Sequence, residues 1–180
     1  CPANTQTFTV TVNASPTANA GADLPICKGA SASLLASGGT VYAWTPASGL
    51  SNTYTASPKA TPTATTEYIV TVSNGNCSDK DTVKISVNKN PTPVITAGGA
   101  TTFCQGGNVI LNSSAGYSKY NWANGASTQN ITAISNGSYK LTVDSNGCSG
   151  TSNAITVKIN PNPVPAISGS STACKNATGN

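Results

Sequence analysis

The sequence predicts an all-β protein built from tandem antiparallel β-sandwiches, and three observations lead there. Only 8% of the residues are charged, against roughly 25% in ordinary globular proteins, and Thr, Ser, Asn, Ala and Gly fill the gap. Short apolar/polar alternating runs end in turn signals. Six cysteines recur at alternately short and long intervals.

The composition favours strands and turns. Ser, Thr and Asn compete with a helical backbone for its hydrogen bonds, and the chain has no Arg, His or Met and a single glutamate, Glu67. Hydrophobic residues make up 37%, enough to bury cores rather than stay disordered. The net charge of +4 comes from scattered lysines, with no basic run to serve as a nucleic-acid footprint. No stretch approaches the ~18 consecutive apolar residues of a membrane span. A secreted, extracellular protein is the expectation.

Three segments that start at a cysteine align. They begin at Cys1, Cys77 and Cys148 and end at Cys27, Cys104 and Cys174. Each opens with an alternating strand: Phe8, Val10, Val12; Val83, Ile85, Val87; Ile155, Val157, Ile159. A period of two gives one buried face and one wet face, and Thr and Lys fill the wet positions. Asn and Pro follow, at Asn13 to Pro16, Asn88 to Pro91 and Asn160 to Pro163, marking stiff, extended joints.

The longer segments align too. CKGASASL at Cys27 matches CQGGNVIL at Cys104 without a gap. Tyr42 and Trp44 match Tyr120 and Trp122, each pair sharing one strand face. Tyr68, Val70 and Val72 hold the same offsets from Cys77 as Tyr139, Leu141 and Val143 hold from Cys148. Both of these strands run into Asn-Gly, at Asn74 and Asn146, a strong hairpin signal. Only the stretch from Trp to Tyr differs, with 23 residues in one copy and 16 in the other, which assigns it to loops and edge strands. The predicted organisation is 1–13, the last strand of a preceding repeat; 14–89 and 90–160, two whole repeats; and 161–180, the start of a following one.

These motifs resemble the immunoglobulin-like and PKD-like repeats of giant Bacteroidota surface proteins. The second repeat is similar to those of SprB-type gliding-motility adhesins, through Cys-x-Gly, Trp122-Ala-Asn-Gly and GSYKLTVDSNGC. The first looks like a sister type, through AGADLPICKG, YAWTPASGLS and TTEYIVTV. Asn176 departs from the pattern, standing where Gly29 and Gly106 stand. The resemblance implies immunoglobulin-like sandwiches in an elongated rod, type IX secretion, and service as an adhesin, filament or stalk. A Trp on the third strand fits the core of such a sandwich, and Trp44, Trp122, Tyr68 and Tyr139 are the expected core aromatics.

Without His or closely spaced cysteine pairs, structural disulfides are a better reading than zinc. The favoured pairing closes each repeat on itself, Cys27 to Cys77 and Cys104 to Cys148. It needs a short or shifted first strand to bring the Cα atoms within about 7 Å. A second reading joins Cys27 to Cys148 and staples the two repeats, and the other four cysteines, Cys1, Cys77, Cys104 and Cys174, then find partners in neighbouring units. The first reading assigns only Cys1 and Cys174 to neighbouring repeats.

Little chemistry is visible. The lack of His excludes the usual triads, and no cofactor or metal is expected. Asp79 and Asp81 near Asn76 are the best oxygen cluster for calcium, though as turn and strand-start residues they need no ion. Glu67, the sole glutamate, is a poor basis for an isopeptide bond. Tyr54 and Tyr117 are candidates for exposed contacts. Asp81-Thr82-Val83 resembles a Bacteroidota O-glycosylation acceptor, which puts Thr82 forward, whereas Asn-x-Ser/Thr, as at Asn130, is frequent by chance in such a composition. The expected function is a non-enzymatic stalk or filament segment whose partners are neighbouring repeats and identical chains. The alternatives are a module that grips surface polysaccharide and an accessory region of a secreted hydrolase.

Overall fold

A computed structural model describes residues 6–169. It contains strands and turns, and no helix among the described residues. Two separate hydrophobic cores form, one from residues between Ala18 and Ile85 and the other from residues between Ile95 and Ile159.

The first sandwich has six strands: β1 (Leu24–Cys27), β2 (Ala32–Ser33), β3 (Val41–Thr45), β4 (Lys59–Ala60), β5 (Thr66–Ser73) and β6 (Ser78–Asn88). One layer runs β1-β6-β5-β3, and the other is β2-β4, extended by a bridge between Asn19 and Ser37. The period-two pattern explains which side faces in. Tyr68, Val70 and Val72 of β5 are buried, while Glu67 just before them and Ile69 between them point outward. The Asn74-Gly75 turn joins β5 to β6, with Gly75 at φ 104°, a conformation that only glycine adopts freely.

The second sandwich repeats the plan with β7 (Ile95–Ala97), β8 (Thr102–Cys104), β9 (Val109–Ser113), β10 (Lys119–Trp122), β11 (Ile131–Ala133), β12 (Gly137–Tyr139), β13 (Leu141–Ser145), β14 (Cys148–Thr151) and β15 (Ile155–Asn160). Here β10-β13-β14 and β12-β15-β8 together occupy the place of the first sheet, and β11-β9-β7 opposes them. The extra breaks have a local cause. The buried Ser152 hydroxyl accepts from the Leu141 N–H at 2.9 Å and donates to the Asn153 carbonyl at 2.6 Å. A side chain thus takes the Leu141 N–H where the last strand breaks between β14 and β15. The stretches of unequal length carry β4 and β11, each at the edge of its layer.

The direction of the first strand decides the cysteine geometry. β1 pairs with β6 in parallel, so that Cys27 lies opposite Asn88, at the far end of β6 from Cys77. β8 likewise runs parallel to β15 and sets Cys104 opposite Asn160. Eleven residues of β6 at about 3.3 Å each separate the two poles by roughly 35 Å. That rules out the expected pairing of Cys27 with Cys77, and by the same plan that of Cys104 with Cys148.

Candidate functional site at the junction between the sandwiches

The poles that hold Cys27 and Cys148 face each other, and the two cysteines are bonded. The S–S distance is 2.06 Å and the Cα atoms lie 5.6 Å apart, across 121 residues of sequence. Cys27 enters from the end of β1, and Cys148 from the hairpin that leads into β14. Cys148 is buried and Cys27 half-buried.

Side-chain amides tie the joint on both sides. Asn88 Nδ2 donates to the Asn146 carbonyl at 3.0 Å, reaching the hairpin of the second sandwich. Asn90 Nδ2 donates to the Lys28 carbonyl at 3.2 Å, holding the linker to the first. On the far side, Gly150 packs under the linker: a Cβ there would lie 1.8 Å from the Pro91 carbonyl oxygen. The absence of a side chain at residue 150 is what lets the linker lie flat against β14.

The entry to each sandwich is clamped by the last strand. The Asp79 and Asp81 carboxylates accept from the Ala18 and Ala20 N–H groups at 2.9 and 2.8 Å. In the second sandwich Asn153 plays the part of Asp81, accepting from the Ile95 N–H at 3.0 Å and donating to the Ile95 carbonyl at 3.1 Å. The backbone N–H groups of Ala20 and then Thr82 hold the Asp81 carboxyl below its ordinary pKa. Both acids proposed as calcium ligands therefore have backbone partners already. Among the described residues, no three His, Cys, Asp or Glu side chains converge as a metal site would require.

The aromatic residues divide by position. Trp44 and Trp122 are 2% and 1% exposed, and their indole N–H groups donate to the Thr55 and Thr128 carbonyls at 2.9 and 2.8 Å. Tyr68 and Tyr139 are buried beside them, with their hydroxyls on the Ser48 and Ser135 carbonyls. All four are core residues. Tyr117 packs edge-on against Tyr120 with ring centroids 5.8 Å apart, and both rings are half-buried. Tyr54 is 79% exposed but stands without a second aromatic. Thr82 is exposed on the wet side of β6.

Among the described residues, every buried side-chain nitrogen or oxygen has a hydrogen-bond partner, leaving no orphan group that asks for a ligand. The lysines there are all exposed and dispersed. Cys77 and Cys104 are free. Cys1, Cys174 and Asn176 lie outside the described residues, as does most of the stretch from residue 161 on that was expected to begin a following repeat. Sequence reasoning missed the Asp81/Asn153 clamp and the role of Gly150. Strand alternation flagged neither, because each acts through the backbone of a distant segment.

No family model matches the chain, and no curated protein matches it. Solved structures do. A titin I-band fragment, I67-I69, is 14% identical over 83% of this chain and 67% of its own length, with a TM-score of 0.47. Titin domains z1z2 in complex with telethonin are 13% identical over 85% of this chain and 100% of theirs, at 0.38. The four N-terminal immunoglobulin domains of Dscam1 isoform 6.9 are 14% identical over 82% of this chain, at 0.35; this chain spans 47% of that one. The chain's own sheet orders and its two separate cores make it a tandem of immunoglobulin-like β-sandwiches.

Proposed function

We propose that the chain is a structural segment of an extracellular bacterial surface protein, a stalk or filament piece that spaces an adhesive part from the cell. The repeat units are 14–89 and 90–160, and the role is non-catalytic. The observation that supports this reading most is the Cys27–Cys148 bond. A disulfide within a domain protects that domain alone; one across a joint fixes the relation between two. It also requires an oxidising compartment, which fits export. The asparagine ties and the Pro91 joint act in the same direction, since both limit bending. The resemblance to SprB-type repeats supplies the bacterial setting and the type IX route. Thr82, exposed next to Asp81, is the proposed sugar acceptor.

Small-angle scattering on the oxidised chain tests the reading. A spacer predicts one fixed end-to-end arrangement whose profile is unchanged between low and high salt. A folded-back pair, or a broad ensemble of joint angles in the oxidised protein, would count against it. Intact-mass measurement on native protein tests Thr82: an unmodified peptide spanning it removes the glycan.

A further inference from the structure

Cys77 and Cys104 are the two cysteines left free among the described residues, and each occupies a position whose counterpart in the other sandwich is bonded. Cys104 reproduces the setting of Cys27. It ends a first strand in parallel register with the last one, opposite Asn160 as Cys27 is opposite Asn88. The next N–H, of Gln105, donates to the Asn160 carbonyl at 2.9 Å, as that of Lys28 does to Asn88 at 2.8 Å. A tight turn then closes on the cysteine carbonyl in both, through Gly106 at φ 93° and Gly29 at φ 87°.

Cys77 reproduces the setting of Cys148 at the opposite pole. Each follows an Asn-x hairpin at the head of the last strand. The hairpin of Cys77 already rests on the segment that precedes the first sandwich: Asn74 Nδ2 donates to the Ala14 carbonyl at 2.8 Å, and Cys77 Sγ lies 3.8 Å from the Asn13 carbonyl. Asn13 opens its joint as Asn88 opens the next, and Asn88 is the residue beside which Cys27 sits. The Cys77 thiol therefore points at the place where the first-strand cysteine of a preceding unit would be. Phe8, Val10 and Val12, at 94%, 79% and 90% exposure, are the apolar face that such a unit would cover.

We infer that Cys77 and Cys104 are the open halves of the same staple. Cys77 bonds to the first-strand cysteine of the preceding repeat, and Cys104 to the hairpin cysteine of the following one, so that every joint carries one disulfide. The inference rests on the stalk reading for the presence of neighbours on both sides. The chemistry is thiol–disulfide exchange with an oxidised disulfide-carrier protein of the exporting compartment. The Cys77 thiolate attacks the carrier S–S bond, and one carrier sulfur leaves as a thiolate. The neighbour's cysteine thiolate then attacks the Cys77 sulfur of the mixed disulfide, and the second carrier sulfur leaves. Two electrons and two protons pass to the carrier, which ends as a dithiol.

Such staples turn the segment from Cys77 to Cys104 into a tether between the units on either side of this pair. It consists of β6, the linker, β7 and β8, already largely extended. Fully stretched, 27 residues reach at most about 90–100 Å, so a pull between the flanking units is carried by this one stretch of strand and joint, which passes through both cores at Val83, Ile85 and Ile95.

The test is a non-reducing tryptic map of the full-length parent protein, with free thiols first blocked by N-ethylmaleimide. Cys77, in the Ala60 to Lys80 peptide, and Cys104, in the Asn90 to Lys119 peptide, should both be unblocked and cross-linked to cysteines outside residues 14–160. Blocked Cys77 or Cys104, or a bond between the two, overturns the inference. The map reads partners and not shape. A straight pair with reduced Cys77 and Cys104 would leave the stalk reading standing, and staples in a folded-back assembly would do the reverse.

Discussion

Replacing Cys27 or Cys148 by serine should weaken both sandwiches together. With the first sandwich folded, Cys27 is held beside Asn88. The loop that the bond closes during unfolding of the second sandwich is then the stretch from Asn88 to Cys148, about 60 residues. Chain-entropy cost for a loop of that size is about 4 kcal/mol. Unfolding of the first sandwich alone frees a stretch of similar length, from Cys27 to the Ile95 clamp, and gives about the same figure. Against typical stabilities of about 5–15 kcal/mol, the loss is large in both. Trp44 and Trp122, one in each core, provide separate probes: with 5-fluorotryptophan, two 19F resonances follow the two unfolding transitions in urea. Cys27→Ser and Cys148→Ser should each shift both transitions, and the double variant should add nothing, because either single change removes the same bond. Bonds within each sandwich would instead make Cys27→Ser act on the Trp44 signal alone, Cys148→Ser on the Trp122 signal alone, and the double variant additive. That pattern would exclude a bond across the joint.

Three further outcomes follow from the geometry. Pulled by its ends in an optical trap, the oxidised chain should release no length from between Cys27 and Cys148; reduction should add roughly 400 Å of contour for the 121-residue separation. Gly150→Ala should destabilise the second sandwich by about 1–3 kcal/mol, as overpacking does, because its Cβ meets the Pro91 carbonyl; calorimetry at neutral pH reads the loss. Acid should loosen the first entry clamp and spare the second. The Asp81 pKa is depressed in the folded state, so its contribution is complete above the unfolded value near about 4 and is lost as pH falls through the lower folded value. Amide exchange at Ala20 should rise over that window, exchange at Ile95 on Asn153 should not, and Asp81→Asn should remove the difference.

Much of the fold was legible because it depends on local pattern. Val83 and Ile85 alternate with Thr82 and Lys84, and the pleat turns that directly into a buried face and a wet one. Trp44 and Trp122 recur at one place in the repeat, as core residues do, and Asn74-Gly75 and Asn146-Gly147 announced their hairpins through the positive φ that glycine supplies. The cysteine pairing was legible only as two alternatives, because it turns on strand direction, which composition and alternation do not encode. An antiparallel first strand would have brought Cys27 toward the head of β6, whereas the parallel one observed sends it to the tail beside Asn88. The division of the last strand into β14 and β15 depends on one buried hydroxyl, Ser152. The Asp81 and Asn153 clamps share a position but differ in charge, so their common role appears only once the Ala20 and Ile95 N–H groups are seen opposite them.

The most direct test of the account is the disulfide map of this chain purified without reductant. Trypsin should yield the peptide ending at Lys28 bonded to the peptide from Leu141 to Lys158, with fragmentation placing the link on Cys27 rather than Cys1 and so joining Cys27 to Cys148 across the joint. Recovery of Cys27 bonded to Cys77, with Cys104 bonded to Cys148, would contradict it.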